Sequence, residues 1–533
     1  MDHWMDKHVP AVRDEVLFGS RRVRCFVERP GSLQAMWQNA VKRFPHREAL
    51  VYGDERLSYV QADDQVRSIA SGLAAHGIVK GDRVALLVGN NPVFVLTLFA
   101  LQQLGAIAVP ISTREQRAGV TYMLGQSGAK GVVFDAEFAD RLPLEQDLPG
   151  LTLRVVHGDF AGAVSLGELT AQGQDDCAPA IVAAEDVAII LYTSGTTGHP
   201  KGAMLTHVNI AHSVRHFELV MQLSSVDRIA LAVPATHVTG LVAMVLTAIH
   251  VGGACVIAPP FKAADFLTFM AREAITYTIM VPAMYSLLLL SPELDRSKLD
   301  QWRLGGYGGA PMAVGTIEEL AHRLPRLGLV NAYGATETTS PTSVSPIASD
   351  VAHADSVGVP LPCAHVRVVD DNGQDLPQGE TGELWIGGPM VVPGYWDNPE
   401  GTAASFTDGY WHSGDIGFID TDGFVHVNDR MKDMLSRGGF KIYSAEVESR
   451  LMSYPGMVEA AVVGKPCPVL GERVHAFVHA PGVSRDDEAL RRHCAETLSD
   501  YKVPESYTWS DEPLPRNANG KLIKRTLRER LIA

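Results

Sequence analysis

The stretch from Leu191 to Ala203, LYTSGTTGHPKGA, places the tightest constraint on this chain. It follows the unbroken apolar run Val187, Ala188, Ile189, Ile190 and Leu191, which reads as a buried strand. Thr193, Ser194, Gly195, Thr196, Thr197 and Gly198 then precede Lys201. Glycines let successive backbone N–H groups converge, hydroxyls add donors and the lysine adds charge, so a strand ending this way is built to meet phosphate. A plain strand-ending turn needs fewer such residues. The Walker A pattern G-x-x-x-x-G-K-[ST] fails as well, because Pro200 stands where its second glycine belongs and Gly202 follows Lys201.

A chain of 533 residues exceeds one ordinary core, so two or more domains are expected. The net charge of −15 argues against a general nucleic-acid binder, and an anionic substrate then needs local cationic groups. The last segment offers Arg516, Lys521, Lys524, Arg525, Arg528 and Arg530 against Glu529 alone. Six cysteines lie scattered without C-x-x-C spacing, which fits neither a zinc site nor a disulfide framework and points to a reduced, cytoplasmic compartment. The charged N-terminus MDHWMDKHVPAVRDEV does not read as a signal peptide. From Val84 to Thr113 no residue is charged, long enough to raise a membrane span. Gly89, Asn90, Asn91 and Pro92 interrupt it early and Gly105 and Pro110 late, so it reads as strand, turn, buried helix and strand, with no transmembrane segment.

Residues 1–31 read as a loosely ordered leader. From Ser32 two amphipathic helices, SLQAMWQNAVKRFP and LSYVQADDQVRSIASGLAAHG, open an alternation of strand and helix that runs to about Gly253. Such alternation predicts an α/β fold, with mostly parallel sheets layered with helices. His237 precedes an apolar stretch read as helix from Val238 to His250. Short alternating runs separated by DNG, GG and DG turns predict an antiparallel, barrel-like sub-domain over residues 358–428, within a large N-terminal domain of residues 32–428. Residues 429–533 read as a small α+β domain, joined through a charged, turn-like segment near Lys432. Within it Ser444 is expected to cap one helix and the Ser484 to Asp487 pattern another.

YTSGTTGHPKGA resembles the phosphate-loop signature of the adenylate-forming superfamily of acyl-CoA synthetases, peptide-synthetase adenylation domains and luciferases. The resemblance extends over about residues 32 to 530. It implies that Thr193 to Gly198, with Lys201, hold the nucleotide's phosphates, and that Thr193 and Glu337 hold Mg²⁺. The LGGYGGAPM and LVNAYGATETTSP stretches resemble adenine-binding elements, implying nucleotide roles for Gly309, Ala310, Pro311, Tyr333, Gly334 and Thr336. WHSGD resembles a ribose-binding element, implying that Asp415 accepts hydrogen bonds from both ribose hydroxyls beside Arg430. The P-x-x-H-x-x-G pattern, carried by Pro234, His237 and Gly240, implies that His237 lines a carboxylate pocket. With it the acyl pocket takes in Thr239, Ala243, Gly308, Gly334 and Pro341. Lys432 corresponds to a hinge, and Ser436, Arg437, Gly438 and Gly439 to a stretch that faces the pantetheine arm. The family often has Pro where this chain has Ser444. Lys521 corresponds to the catalytic lysine, which with Glu337, Thr193 and His237 completes the catalytic set.

The chemistry so implied is ATP-dependent joining of a carboxylic acid to coenzyme A. An acyl-adenylate and pyrophosphate form first, then the thioester and AMP. Small pocket residues favour an aryl or medium-to-long aliphatic acid over acetate. Two other readings remain open: a stand-alone adenylation enzyme that loads a carrier protein, and a nucleotide-binding sensor without turnover. A homodimer is compatible with either.

Overall fold

Strands that alternate with helices, most of the central ones buried on both faces, build two large sheets here. The computed structural model describes Trp4 and residues 10–172, 177–193, 199–347, 353–516 and 522–532. One sheet has seven strands, with Arg83–Leu87 near its centre between Ile107–Pro110 and Gly131–Asp135. All its pairings are parallel except that of Val187–Thr193 with Lys201–Thr206, the two strands that flank the phosphate loop. The other has nine strands, parallel through Ala254–Ile257, Arg228–Leu231, Tyr277–Met280, Leu304–Tyr307 and Gly328–Ala335 and antiparallel at both edges.

Alternation along each strand divides the core into layers. Val84 and Leu86 face a core shared by both sheets and by helices Leu33–Arg43, Tyr59–Ala75, Pro92–Leu104 and His207–Val220. Ala85 and Leu87 face the opposite side, against helix Arg117–Ser127. Helices Ala263–Arg272, Pro282–Leu290 and Val314–Arg323 cover the far face of the nine-stranded sheet. The uncharged stretch from Val84 is therefore core: Asn91 caps helix Pro92–Leu104, and Gly105, at φ +65, ends it in the left-handed conformation. Among the described residues no helix is long and apolar enough to cross a membrane.

An antiparallel half-barrel follows: His365–Val369 pairs with Gly382–Gly387, that strand with Tyr410–Ile419, and Tyr410–Ile419 with both Phe406–Thr407 and Val425–Arg430. The last sheet pairs Gly471–His479 with Glu459–Cys467, Leu435–Arg437 and Ser506–Trp509. Helices Ser444–Met452 and Lys524–Ile532 both contact strand Glu459–Cys467.

Three expectations need correction. Residues 12–26 are no loose leader: Val12–Leu17 and Arg21–Phe26 form a β-hairpin. Cys25 and Phe26 are fully buried, the Phe26 N–H donates to His212 Nε2 at 3.2 Å, and Arg21 donates to the carbonyls of Val391 and Val392. Charge on the outward side of both strands hid this order. Ser444 caps no helix; it is the first residue of Ser444–Met452, and Asp429 holds it. Asp486 rather than Ser484 caps the helix at Asp487–Ala495, by accepting from the Ala489 N–H.

Candidate active site

A continuous cleft of about 2580 Å³ draws its lining from both large sheets, the half-barrel and the C-terminal segment. Its polar end is built where strand Gly328–Ala335 turns back into Ser340–Val344 through a tight 3-10 turn over Thr336–Thr338. Tyr333 donates its hydroxyl to Asp415 Oδ2 at 2.6 Å, and Arg430 Nε lies 3.1 Å from Asp415 Oδ1. Asp415 and Arg430 are direct partners on adjacent antiparallel strands, so sheet register sets this pair. The structure thus gives each Asp415 oxygen a protein donor, because a buried carboxylate needs one whether or not a ligand is bound. Each oxygen keeps a second lone pair for a further donor.

Glu337 sits in the same turn and is buried. Burial pushes its carboxyl above the usual carboxylate range, while the Tyr395 hydroxyl, which donates to Oε1 at 2.8 Å, pulls the other way. Lys201 lies over the Tyr395 ring, 4.8 Å from its centre. The segment around Tyr395 is itself pinned to the strand after the phosphate loop, since Trp396 N–H donates to Gly202 O and Met204 N–H to Gly394 O. Thr193 ends strand Val187–Thr193 and lines the cleft. Ser194, Gly195, Thr196, Thr197 and Gly198 lie outside the described residues, as does Lys521. Arg516 and Leu522, on either side of that segment, both line the cleft and pair with each other.

Gly308, Gly309, Ala310, Pro311, Gly334, Thr336 and Pro341 all line the cleft, but the first two glycines serve different ends. A Cβ on Gly308 would stand 2.4 Å from the Ala332 carbonyl, so strand packing demands that glycine. Gly309 has φ +76 and open space around it.

The other end of the cleft begins at His237. Gly240 is needed behind it, since a Cβ there would lie 2.2 Å from Pro234 O. Asn90 clamps the loop from the neighbouring sheet, donating to Val233 O at 3.0 Å and accepting from Ala235 N–H at 2.8 Å. Thr239 lines the cleft with His237, but Ala243 does not. The segment Thr239–Leu246 is a π-helix, buried from Gly240 onward between the two sheets, so Ala243 belongs to the core. π-Helical turns recur at functional sites. Beyond Thr239 the walls include Ile257, Phe261, Ile279, Met280, Met284 and Met312.

At the C-terminal side, Lys432 lines the cleft, and its carbonyl accepts from Arg528, which also pairs with Asp433 at 2.9 Å. Ser436, Arg437, Gly438 and Gly439 lie elsewhere: they form a strand end and a turn with φ +57 and +88 at the glycines, and Arg437 pairs with Glu505. Asn90 and Tyr395 escaped sequence reasoning. Asn90 stands in a turn that explains it, and Tyr395 stands in GYWDNPE, which carries no motif of its own.

The sequence pattern of AMP-binding enzymes matches residues 37–396, and that of their C-terminal domain matches residues 446–521. The chain belongs to the AMP-binding enzyme family. Among its relatives in this family, a feruloyl-CoA synthase of Amycolatopsis sp is 36% identical over 490 residues, covering 91% of this chain and 96% of the relative. The long-chain-fatty-acid–CoA ligase FadD13 of Mycobacterium tuberculosis is 33% identical over 483 residues, covering 90% and 94%. The O-succinylbenzoate coenzyme A synthetase MenE of Bacillus subtilis, solved in complex with ATP and magnesium ion, matches with a TM-score of 0.82 and 29% identity over 95% of this chain and all of that one. This AMP-binding enzyme falls in the acid:CoA ligase branch, and its reaction uses ATP, Mg²⁺ and coenzyme A. Among the described residues no group of three or more His, Cys, Asp or Glu is arranged to hold a metal ion by itself. Mg²⁺ fits this AMP-binding enzyme through one buried carboxylate, Glu337, with substrate phosphates supplying further oxygens.

Proposed function

We propose that the acid activated by this ligase carries one carboxylate on an apolar body, an aryl acid or a medium-to-long aliphatic one. The lining carries this reading: Asp415, Arg430 and Glu337 supply charge for the nucleotide, while Ile257, Phe261, Ile279, Met280, Met284 and Met312 supply apolar wall for the acid. Relatives named for feruloyl-CoA and for long-chain fatty acids agree with both arms of the proposal.

The first step joins two anions, so its barrier is one of repulsion and alignment. Asp415 and Arg430 anchor the ribose, Tyr333 and Gly309 to Pro311 flank the base, and Thr193 to Gly198 with Lys201 cradle the phosphates. Lys521 meets the charge that develops between carboxylate and α-phosphorus. Mg²⁺ held by Glu337 and Thr193 supplies charge neutralisation on the phosphates. His237, fixed by Asn90 through its loop, borders the carboxylate. The thioester step calls for Ser436 to Gly439 at the cleft, and a turn about Lys432 would bring them there. All six cysteines are free thiols, which supports a reducing, cytoplasmic setting.

The test is AMP release with ATP and CoA across a panel of acids, with a carrier protein as the alternative thiol. Turnover is expected with substituted cinnamic or benzoic acids or with medium-to-long fatty acids. Preference for acetate or for a short dicarboxylate would overturn the assignment.

A further inference from the structure

Ser444 sits at a junction that its place at the head of a helix does not require. Its hydroxyl donates to Asp429 Oδ2 at 2.7 Å, and its backbone N–H donates to the same oxygen. Lys524 Nζ donates to Ser444 Oγ at 2.6 Å and lies 2.7 Å from Glu448 Oε1, which also accepts from the Val462 N–H. Asp429 and Ser444 are buried. Asp429 closes the half-barrel in strand Val425–Arg430, three places before Lys432. Ser444 and Lys524 lie after it, on helix Ser444–Met452 and at the head of helix Lys524–Ile532. The bonds therefore cross from one side of Lys432 to the other.

We propose that Asp429, Ser444 and Lys524 form a latch that holds the C-terminal segment in the orientation serving acyl-adenylate formation. It rests on the two-step ligase reading and on Lys432 as the pivot. In this orientation Arg516 and Leu522 line the cleft and Ser436 to Gly439 do not. A turn about Lys432 carries Ser444 and Lys524 away from Asp429, so the latch belongs to one half of the cycle. All three are positioning residues, with no contact to the reacting atoms. A proline at residue 444 would offer neither donor.

Ser444→Pro removes both donors without disturbing the local backbone. Proline suits the first helical position, and Tyr443, at φ −82 and ψ 114, already has the extended conformation that the residue before proline needs. In the full-length enzyme, acid-dependent pyrophosphate exchange should fall about ten-fold in S444P, as misplacement of a catalytic segment does elsewhere. Thioester formation from supplied acyl-adenylate should stay within about two-fold of wild type, since that step has no use for the latch. Ser444→Thr, which keeps the hydroxyl and the N–H, should restore exchange. Unchanged exchange in S444P, or an equal fall of both half-reactions, would overturn the latch. Wild-type turnover in both half-reactions tests the ligase reading separately, so S444P indistinguishable from an active wild type rejects the latch alone.

Discussion

At the scale of a single residue, Glu337 is where the proposed metal binding can be tested. Its carboxyl is raised by burial, so its ionised form, the one that binds a cation, is lost as pH falls through a value above the ordinary glutamate figure of about 4.3. The acid limb of the pH–activity profile should therefore lie above that figure, and raising Mg²⁺ should move it to lower pH, because the cation favours the ionised form. A limb insensitive to Mg²⁺ would remove Glu337 from the metal. Lys521→Ala should slow adenylation by roughly 10²–10³-fold, the cost of one key electrostatic donor. Stopped-flow thioester formation from supplied acyl-adenylate should survive. What sequence showed at this scale were residues of unusual type in unusual company, such as His237 after Pro234. Asn90 and Tyr395 stayed hidden because each acts on a segment more than a hundred residues away or across two strands, through ordinary hydrogen bonds.

Helix His207–Val220 shows what an element adds. Three buried histidines on it each hold a distant backbone: His207 Nδ1 accepts from Leu33 N–H, His212 Nε2 from Phe26 N–H, and His216 Nε2 donates to Pro362 O. Burial lowers His207 and His216 to about 4 and His212 to about 3, against 6.5 when free. These are bases with depressed folded values, so the unfolded chain takes up protons first as pH falls. The stability they contribute is complete above pH 6.5 and drains away between there and pH 3 to 4. Melting temperatures measured from pH 7.5 to 4.5 should fall, and His212→Gln should flatten the decline. The layered order of strands and helices was legible because buried parallel strands read as apolar runs. The hairpin at Val12–Leu17 and Arg21–Phe26 was not, since four arginines and two acidic residues on its strands look like a solvated tail.

Across the whole molecule, the cleft lies where the two large sheets and the half-barrel meet the C-terminal segment, with Lys432 as its proposed joint. Lys432→Pro should leave pyrophosphate exchange within about two-fold and slow thioester formation strongly, because proline fixes φ at the joint. Equal loss in both assays would place the pivot elsewhere. The hairpin also acts at this scale, since it reaches the loop at Val391 and Val392, helix His207–Val220 and Glu185 at once. That has a practical side for anyone shortening the gene. A protein begun at residue 32 would keep every motif by which its family is known and yet shed one of the ties between the half-barrel and the sheets. It would leave the imidazole of His212 with its acceptor nitrogen facing solvent. Such a trimmed enzyme should be produced as aggregate, or bind ATP with its ribose pair out of register, although no residue of the active site had been touched.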